Sequence, residues 1–161
     1  MATPNIVPRA NEEGNIGTTT KKWLSVRAKT MFVNGTEIVP SDIPIVVSVS
    51  DETTLLTTGT AKVKFRMPHV FKLTGVRASV STAPTGSALT VDINENGSSV
   101  LSTKLTIDAG ELTSTTAATA AVISDTLLAD DAEITIDIDN VGSTVAGKGL
   151  KVTLLGARSS S

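Results

Sequence analysis

The stretch that decides the fold is LTVDINENG, residues 89–97, which combines a strict two-residue alternation with a turn signal. Leu89, Val91 and Ile93 are aliphatic, and the residues between them are polar. Because successive side chains of a β-strand point to opposite faces, the aliphatic row is expected to be buried and the polar row to face water. Asn96 and Gly97 supply the positive φ values of a tight hairpin turn. The stretch therefore predicts a β-hairpin with one solvated face.

The same alternation recurs in ITIDID, residues 134–139, and other Thr-rich and β-branched runs also suit a pleated, half-buried surface. The predicted strands cover residues 61–67, 71–81, 88–95, 99–108, 132–139 and 149–155. Residues 51–58 and 120–124 are each expected to add one strand, and 113–121 is interpreted as a long connection at the sandwich edge. Turn-forming Gly, Asn and Pro residues separate these runs. The prediction is an all-β, antiparallel β-sandwich of the jelly-roll type.

Residues 1–50 have a different character, because they show no sustained period and contain Pro4, Pro8, Pro40 and Pro44, four of the six prolines. Proline fixes φ and removes a backbone donor, so an extended arm is expected, with short strand-like pieces such as 26–33. The predicted organisation is an N-terminal arm at 1–50, a sandwich domain at 51–156 and a short tail at 157–161.

The arm carries Trp23, the sole tryptophan of a chain in which aromatic residues make up 2%. A large indole that lies beside Gly and Thr has few neighbours of its own to pack on, which is typical of an interface anchor. Phe32 lies in the same arm and is a second candidate anchor, whereas Phe65 and Phe71 fall in strand patterns and are expected in the core. The alternative for Trp23 is that it packs back onto its own sandwich.

Composition narrows the function classes. The chain has 161 residues, a formal charge of −2, no cysteine and 14 scattered basic residues. A nucleic-acid partner is not expected, because phosphate binding needs a concentrated basic surface. A membrane partner is not expected either, because no segment reaches the roughly 18 apolar residues of a membrane span and the N-terminus has no apolar leader.

The candidate catalytic residues are sparse. His69 is the sole histidine, and its position after Pro68 is interpreted as a strand end, since a catalytic histidine needs a nucleophile or an orienting carboxylate in reach. The chain has no tyrosine and few aromatic residues on which a sugar ring could stack, so glycosidase and lectin functions are disfavoured. We expect no catalytic residue and no cofactor.

A metal site would have to use oxygen ligands, because the chain has no cysteine and one histidine. Two acidic sets are conceivable as calcium ligands: Asp92, Asp137 and Asp139 on the strands, and Asp130, Asp131 and Glu133. Neither set has the regular Asp/Asn spacing and glycine of a calcium loop, and acidic residues on an outward strand face are ordinary solvated positions. No metal is expected.

The motif GTTTKKW, residues 17–23, followed by a short strand and by Val33-Asn34-Gly35, resembles the Leu-Gly-Ser-x-x-Lys-x-Trp … Val-x-Gly segment of many bacteriophage tail-fibre and appendage proteins. Ile16 stands where leucine is commoner. The runs at 65–68, 91–97, 102–108 and 134–139 resemble a sandwich module frequent in virion proteins of tailed phages. That module is found in fibres, neck appendages and head-decorating proteins alike.

The resemblance implies a homotrimer, and an arm on a compact domain suits a clamp. The expected function is that of a non-enzymatic capsid decoration (cement) protein, synthesised in the host cytoplasm and placed on the virion capsid surface, with the major capsid protein or another virion protein as its partner. The expected interface residues are Gly17, Lys21, Lys22, Trp23, Phe32 and Val33. A short head fibre, tail fibre or neck appendage that contacts the host surface is the alternative, and a carbohydrate-active enzyme is the third.

Overall fold

The computed structural model describes residues 31–33, 36–38 and 43–159, which belong to two compact units, Met1–Val39 and Pro40–Ser161. In the first unit, β1 (Met31–Val33) pairs antiparallel with β2 (Thr36–Ile38), with Met31 opposite Ile38. The rest of the predicted arm up to residue 42 lies outside the described residues.

The second unit is an antiparallel β-sandwich, so the predicted fold class is confirmed. One sheet contains β3 (Ile45–Ser48), β5 (Phe71–Ser79), β11 (Leu127–Leu128) and β13 (Lys151–Arg158), in the order β11-β5-β13-β3. The other contains β4 (Gly59–Arg66), β6 (Leu89–Glu95), β7 (Ser98–Ser99), β9 (Leu105–Ile107) and β12 (Glu133–Asn140). Its order is β4-β12-β6-β7, with β9 also paired to β6. The remaining strands, β8 (Leu101–Thr103) and β10 (Val122–Ile123), pair with each other.

The core lies between the two sheets and is formed by the aliphatic rows that the alternation predicts. Ile136 of β12 lies opposite Ile93 of β6, and both side chains are fully buried. The four-stranded sheet contributes its own buried row, which contains Phe71, Leu73, Val152 and Leu154. Because burial of one such side chain contributes about 1.5–3 kcal/mol, these rows supply the main stabilising term of the sandwich.

The Asn96-Gly97 hairpin is confirmed. Glu95 lies opposite Ser98, and the two turn residues have φ values of +48° and +85°, as a tight two-residue hairpin requires. The Asn96 side chain adds a tertiary contact, because its Oδ1 accepts a hydrogen bond of 3.1 Å from the backbone N–H of Glu133. The turn therefore also fixes the start of β12.

Three predicted strands take a different form. Residues 51–58 contain no strand, because Asp51 Oδ1 accepts hydrogen bonds from the backbone N–H groups of Thr53 and Thr54 and closes a local turn. The run 99–108 is divided among β7, β8 and β9, since β7 and β9 pair with β6 whereas β8 pairs with β10. Of the predicted strand at 120–124, the structure contains the two residues of β10.

The sandwich is longer at both ends than residues 51–156. Strand β3 falls within the range predicted as arm, yet it pairs with β13 over four residues, and Ile43 N–H donates to Gly156 O at 2.5 Å. Pro40 and Pro44 made this range look irregular, but a proline just before an edge strand removes no ladder bond. At the other end β13 continues to Arg158, which takes two residues from the predicted tail.

The connection between β9 and β10 was predicted at 113–121 as a long edge segment. It contains a 3₁₀ turn, Ser114–Thr116, and Thr113 accepts a hydrogen bond from Thr115 N–H at its start. Within the described ranges, no helix combines the length and the apolar character that crossing a bilayer requires.

Candidate functional site

Most of the predicted interface residues lie outside the described part of the chain. Gly17, Lys21, Lys22 and Trp23 are among these, so their interface role stays a prediction. Phe32 and Val33 belong to β1, where they lie opposite Glu37 and Thr36 of β2. This pairing places the backbone of the two residues on a short hairpin.

His69 lies beside apolar and backbone groups. Its Nδ1 is 3.1 Å from Val70 O, and its ring stacks on Phe71 with 6.2 Å between the ring centroids. No carboxylate among residues 43–159 forms an ion pair with the ring. This arrangement fits the interpretation of His69 as a strand-end residue.

The outward face of β6 is not solvated, which corrects the sequence prediction. Asp92 is 5% exposed, Asn94 8% and the neighbouring Thr135 of β12 8%. Ser99 covers part of this face, since its hydroxyl donates to Asp92 Oδ1 at 2.6 Å. Side chains from the chain after the hairpin, those of Ser99 and Lys104, contact the polar row, and both faces of β6 are buried.

Lys104 neutralises the buried carboxylate. Its Nζ lies 3.1 Å from Asp92 Oδ2 and 2.5 Å from Asp139 Oδ2, so one ammonium bridges two strands. The hydrogen bond to Asp139, followed by that to Asp92, raises the pKa of Lys104 above its usual value. This ion-pair cluster is part of the sheet and leaves no carboxylate oxygen of Asp92 unpaired.

Two of the remaining acidic candidates, Asp137 and Glu133, are also engaged in structural contacts. Asp137 accepts hydrogen bonds from Ala61 N–H at 2.7 Å and from the Asn94 side chain at 3.1 Å. Glu133 pairs with Lys64 at 3.3 Å. In the described part of the chain, no group of three or more His, Cys, Asp or Glu residues is arranged to hold a metal ion.

A groove with a volume of about 810 Å³ lies beside the four-stranded sheet. One wall is the middle of β5, and the other is formed by the 3₁₀ turn and by the segment that contains β10. Most lining residues are apolar, Leu73, Val76, Leu105, Ala121, Val122 and Ile123 among them, and Arg77 is the charged residue of the lining. Val122 is 51% exposed, so part of this apolar wall faces solvent.

The groove coincides with an opening in the pairing of β5. On its β11 side, β5 pairs at Phe71 and Lys72 and then again through the bridge from Ser79 to Thr113. Residues 74–77 have no strand partner on that side within the described chain. Sequence reasoning missed this site, because it forms where β5 approaches a segment about 45 residues further along. The one signal was the long Thr- and Ala-rich connection.

The two sheets end in strands of contrasting chemistry. Strand β4 is one end and carries Lys62, Lys64 and Arg66 on its exposed positions. Strand β3 is an end of the other sheet; its four residues are uncharged, and Val46 is 62% exposed. Charged side chains on edge strands prevent edge-to-edge pairing, and β3 lacks them.

Comparison with known proteins finds no match to this chain, whether among family models, curated proteins or solved structures.

Proposed function

We propose that this chain is a non-enzymatic structural protein of a tailed-phage virion, and specifically a homotrimeric capsid decoration protein that clamps major capsid subunits. The resemblance of GTTTKKW and of the strand runs to phage virion modules motivates the virion assignment. The choice of a clamp follows from a sandwich preceded by about 40 residues that carry Trp23 and Phe32.

The observation that carries the proposal is the uncharged edge strand β3. It follows directly on the N-terminal segment, and its pairing within residues 43–159 is with β13 alone. An edge strand that pairs on one side only within residues 43–159 offers backbone donors and acceptors and the exposed Val46 to another chain. A protein that works by lining up against neighbouring subunits needs such an edge next to its arm.

The use of the polar residues supports a structural role over a catalytic one. Asp92, Asp137 and Asp51 each accept at least two hydrogen bonds from the protein itself. A catalytic carboxylate needs an oxygen that is available to a substrate. These acidic residues hold turns and strands together.

Copy number tests the position on the particle. Quantitative mass spectrometry of purified particles of the phage that encodes this chain should find hundreds of copies for a lattice protein. A few to a few tens of copies would replace the decoration protein by the fibre or appendage alternative. Absence from the particles would overturn the virion proposal itself.

A pair of edge variants tests β3. We expect Val46→Asp to weaken binding to undecorated particles at least tenfold, because a charge would enter the pairing edge. Thr60→Asp on β4 is the matched control, since Thr60 is also an exposed strand residue at a sheet end. Equal binding of both variants and the wild type in a sedimentation assay would show that β3 is not the docking edge.

The tryptophan gives an independent test of the arm. Trp23→Ala should weaken binding to particles by about 2 kcal/mol, the loss typical of a buried aromatic anchor. Circular dichroism of the variant verifies that the sandwich is intact. An unchanged affinity would return Trp23 to packing on its own sandwich.

A further inference from the structure

We propose that Asn96 is a site of spontaneous chemical modification, at which the folded protein deamidates to aspartate and isoaspartate, and that isoaspartate loosens the start of β12. The reacting groups belong to the β6–β7 hairpin, and water is the co-reactant. The site does not depend on the virion assignment.

The tip of this hairpin presents the reacting groups to solvent. Asn96 and Gly97 are both exposed, with φ values of +48° and +85°. Apart from its chain neighbours, no atom of the described chain lies within 4 Å of the position that a Cβ of Gly97 would take. Because glycine has no side chain and tolerates a wide range of φ, its backbone nitrogen has the freedom to approach the side chain of Asn96.

Glu133 supplies an activating hydrogen bond. Its backbone N–H donates to Asn96 Oδ1 at 3.1 Å, and its carbonyl oxygen accepts from Asn96 N–H at 2.8 Å. When a nucleophile attacks the Cγ atom of Asn96, negative charge develops on Oδ1. A backbone donor that is already in place at this distance stabilises such charge. The contact that holds the turn against β12 therefore also polarises the amide carbonyl.

The reaction takes place in two steps. The backbone nitrogen of Gly97 loses its proton to solvent and attacks Cγ of Asn96, which forms a C–N bond and closes a succinimide ring. The Cγ–Nδ2 bond breaks, and Nδ2 leaves as ammonia with a proton from solvent. Water then opens the ring. Opening at Cγ gives aspartate, and opening at the backbone carbonyl carbon gives isoaspartate, with no oxidation or reduction in either case.

The other asparagines among the described residues, Asn94 and Asn140, serve as internal comparisons. Asn94 is 8% exposed, and its side-chain amide donates to a carboxylate. Asn140 is exposed, but its Nδ2 donates to Ala88 O at 2.6 Å, and the next residue is Val141. A β-branched side chain at that position hinders the approach of the backbone nitrogen. Of the three, Asn96 is the one that precedes a glycine.

Isoaspartate disturbs the hairpin more than aspartate does. Aspartate keeps an oxygen atom where Oδ1 accepts from Glu133 N–H. Isoaspartate routes the backbone through Cβ and Cγ, so it lengthens a two-residue turn in which Glu95 lies opposite Ser98. The side-chain acceptor for Glu133 is then lost, and the start of β12 is held less firmly.

Ageing of the purified full-length protein tests the site. The protein is incubated at about pH 8 and 37 °C, and its peptides are fragmented by electron transfer, which distinguishes isoaspartate from aspartate and position 96 from Asn34, another asparagine that precedes a glycine. We expect a gain of one dalton at position 96, with both products, and a change at least about tenfold slower at Asn94 and Asn140. An intact Asn96, or equal rates at the three positions, would overturn the proposal.

A destabilised variant shows whether the folded state reacts. Gly156→Ala places a Cβ 2.6 Å from the Phe71 ring and raises the unfolded population without touching the hairpin. We expect the deamidation rate at Asn96 to stay that of the wild type. A rise of about tenfold or more would mean that the reaction requires unfolding, and would contradict the proposal. If the variant does not fold, the wild type in urea below its unfolding transition gives the same comparison.

Asn96→Asp is the matched control. It should gain no mass at position 96 and should keep its unfolding temperature during the same incubation. The isoaspartate form of the aged wild type, separated by ion exchange, should unfold at a lower temperature than Asn96→Asp. Equal unfolding temperatures would refute the proposed effect on β12.

Discussion

Asp92 is buried at a position where the alternation of β6 predicts a solvated side chain. The alternation of β6 places it correctly on the face opposite Val91 and Ile93, but that face is covered and the side chain is 5% exposed. A buried carboxylate is tolerated when hydrogen bonds and a cation compensate for lost water. Ser99, Ile93 N–H and Lys104 together supply that compensation.

Replacement of Lys104 should reduce the loss of stability at alkaline pH. The folded state raises the pKa of Lys104, so its stabilising contribution is present below the unfolded value of about 10.5 and is lost as pH rises through the folded value. Lys104→Met should lower the free energy of unfolding at neutral pH by about 1 kcal/mol, since the lysine is partly exposed. Urea titrations between neutral pH and pH 11 measure both effects.

Lys62→Met provides the control for that experiment, because Lys62 donates to Thr57 in an exposed contact. This variant should keep the alkaline decrease of the wild type. A Lys104→Met protein that loses as much stability above pH 10.5 as the wild type would contradict the assigned role.

Gly156 is required by close packing. A Cβ at this position would lie 2.6 Å from the Phe71 ring and would overlap the carbonyl oxygen of Lys72. Because the neighbouring atoms are backbone and a buried ring, Gly156→Ala should destabilise the sandwich by about 3 kcal/mol, the upper range for overpacking. Thermal and urea unfolding measure this loss.

Gly75→Ala on the adjacent strand is the matched substitution. There the nearest atom to a Cβ is Leu155 Cδ1 at 3.3 Å, the end of a flexible side chain. We expect a cost below about 1 kcal/mol. Equal losses for the two variants would show that general strand effects of alanine, and not contact with Phe71, decide the result.

At the scale of elements, the turn after β3 depends on one carboxylate. The N–H of Thr54, and next that of Thr53, hold the pKa of Asp51 well below its usual value of 3.8. Its contribution is therefore present above about pH 4 and is lost as pH falls towards the folded value. Asp51→Asn should reduce stability at pH 7 and flatten the decrease between pH 4 and pH 2, measured by urea unfolding.

The exposed Asp130 offers a comparison for the acid series. Asp130→Asn should leave both the stability at pH 7 and the slope of the acid decrease as in the wild type. If Asp51→Asn gave that same result, the hydrogen-bonded turn would not contribute to acid sensitivity.

Long strands with a clear period were predictable from sequence, and short ones were not. Strands β4, β5, β6, β12 and β13 coincide with predicted runs. The aliphatic residues that alternate in the sequence are the residues that form the buried rows, so the pattern predicts the strand. Strands β7 to β10 are two or three residues long, so their limits depend on which neighbour they pair with. The strand predicted at 51–58 does not form, because the Asp51 turn competes with strand pairing.

The whole sandwich is expected to fold without the preceding segment. Residues 43–161 contain β3 and every strand of both sheets, so this fragment should show β-rich circular dichroism and cooperative unfolding. A fragment that begins at residue 51 lacks β3, which leaves Val152 and Leu154 without their neighbours Val47 and Ile45. It should be less stable by about 2 kcal/mol or more.

Equal stability of the two fragments would show that β3 adds nothing to the sandwich and that the domain starts after residue 50. Failure of the longer fragment to fold would show that the N-terminal unit is needed for the core. The comparison therefore tests the domain boundary directly.

Some features of the candidate sites were predictable from the sequence and others were not, as for the strands. Phe71 and the role of His69 followed from position within one run. The groove could not be predicted, because its walls come from β5 and from residues 105–126 and meet through the topology. The virion assignment depends on sequence motifs, most of which lie in residues 1–42 and in the strand runs.

The burial of both rows of β6 has a consequence for how the chain avoids misfolding. A slip of β6 by one residue against β12 would exchange the rows and place Asp92 and Asn94 among Ile134, Ile136 and Ile138. In a strand with one solvated face, such a slip would place polar side chains in the core but would break no buried polar contact on the other face. In β6 it would also separate Lys104 and Ser99 from Asp92. The buried carboxylate of Asp92 therefore disfavours every register of β6 against β12 other than the native one.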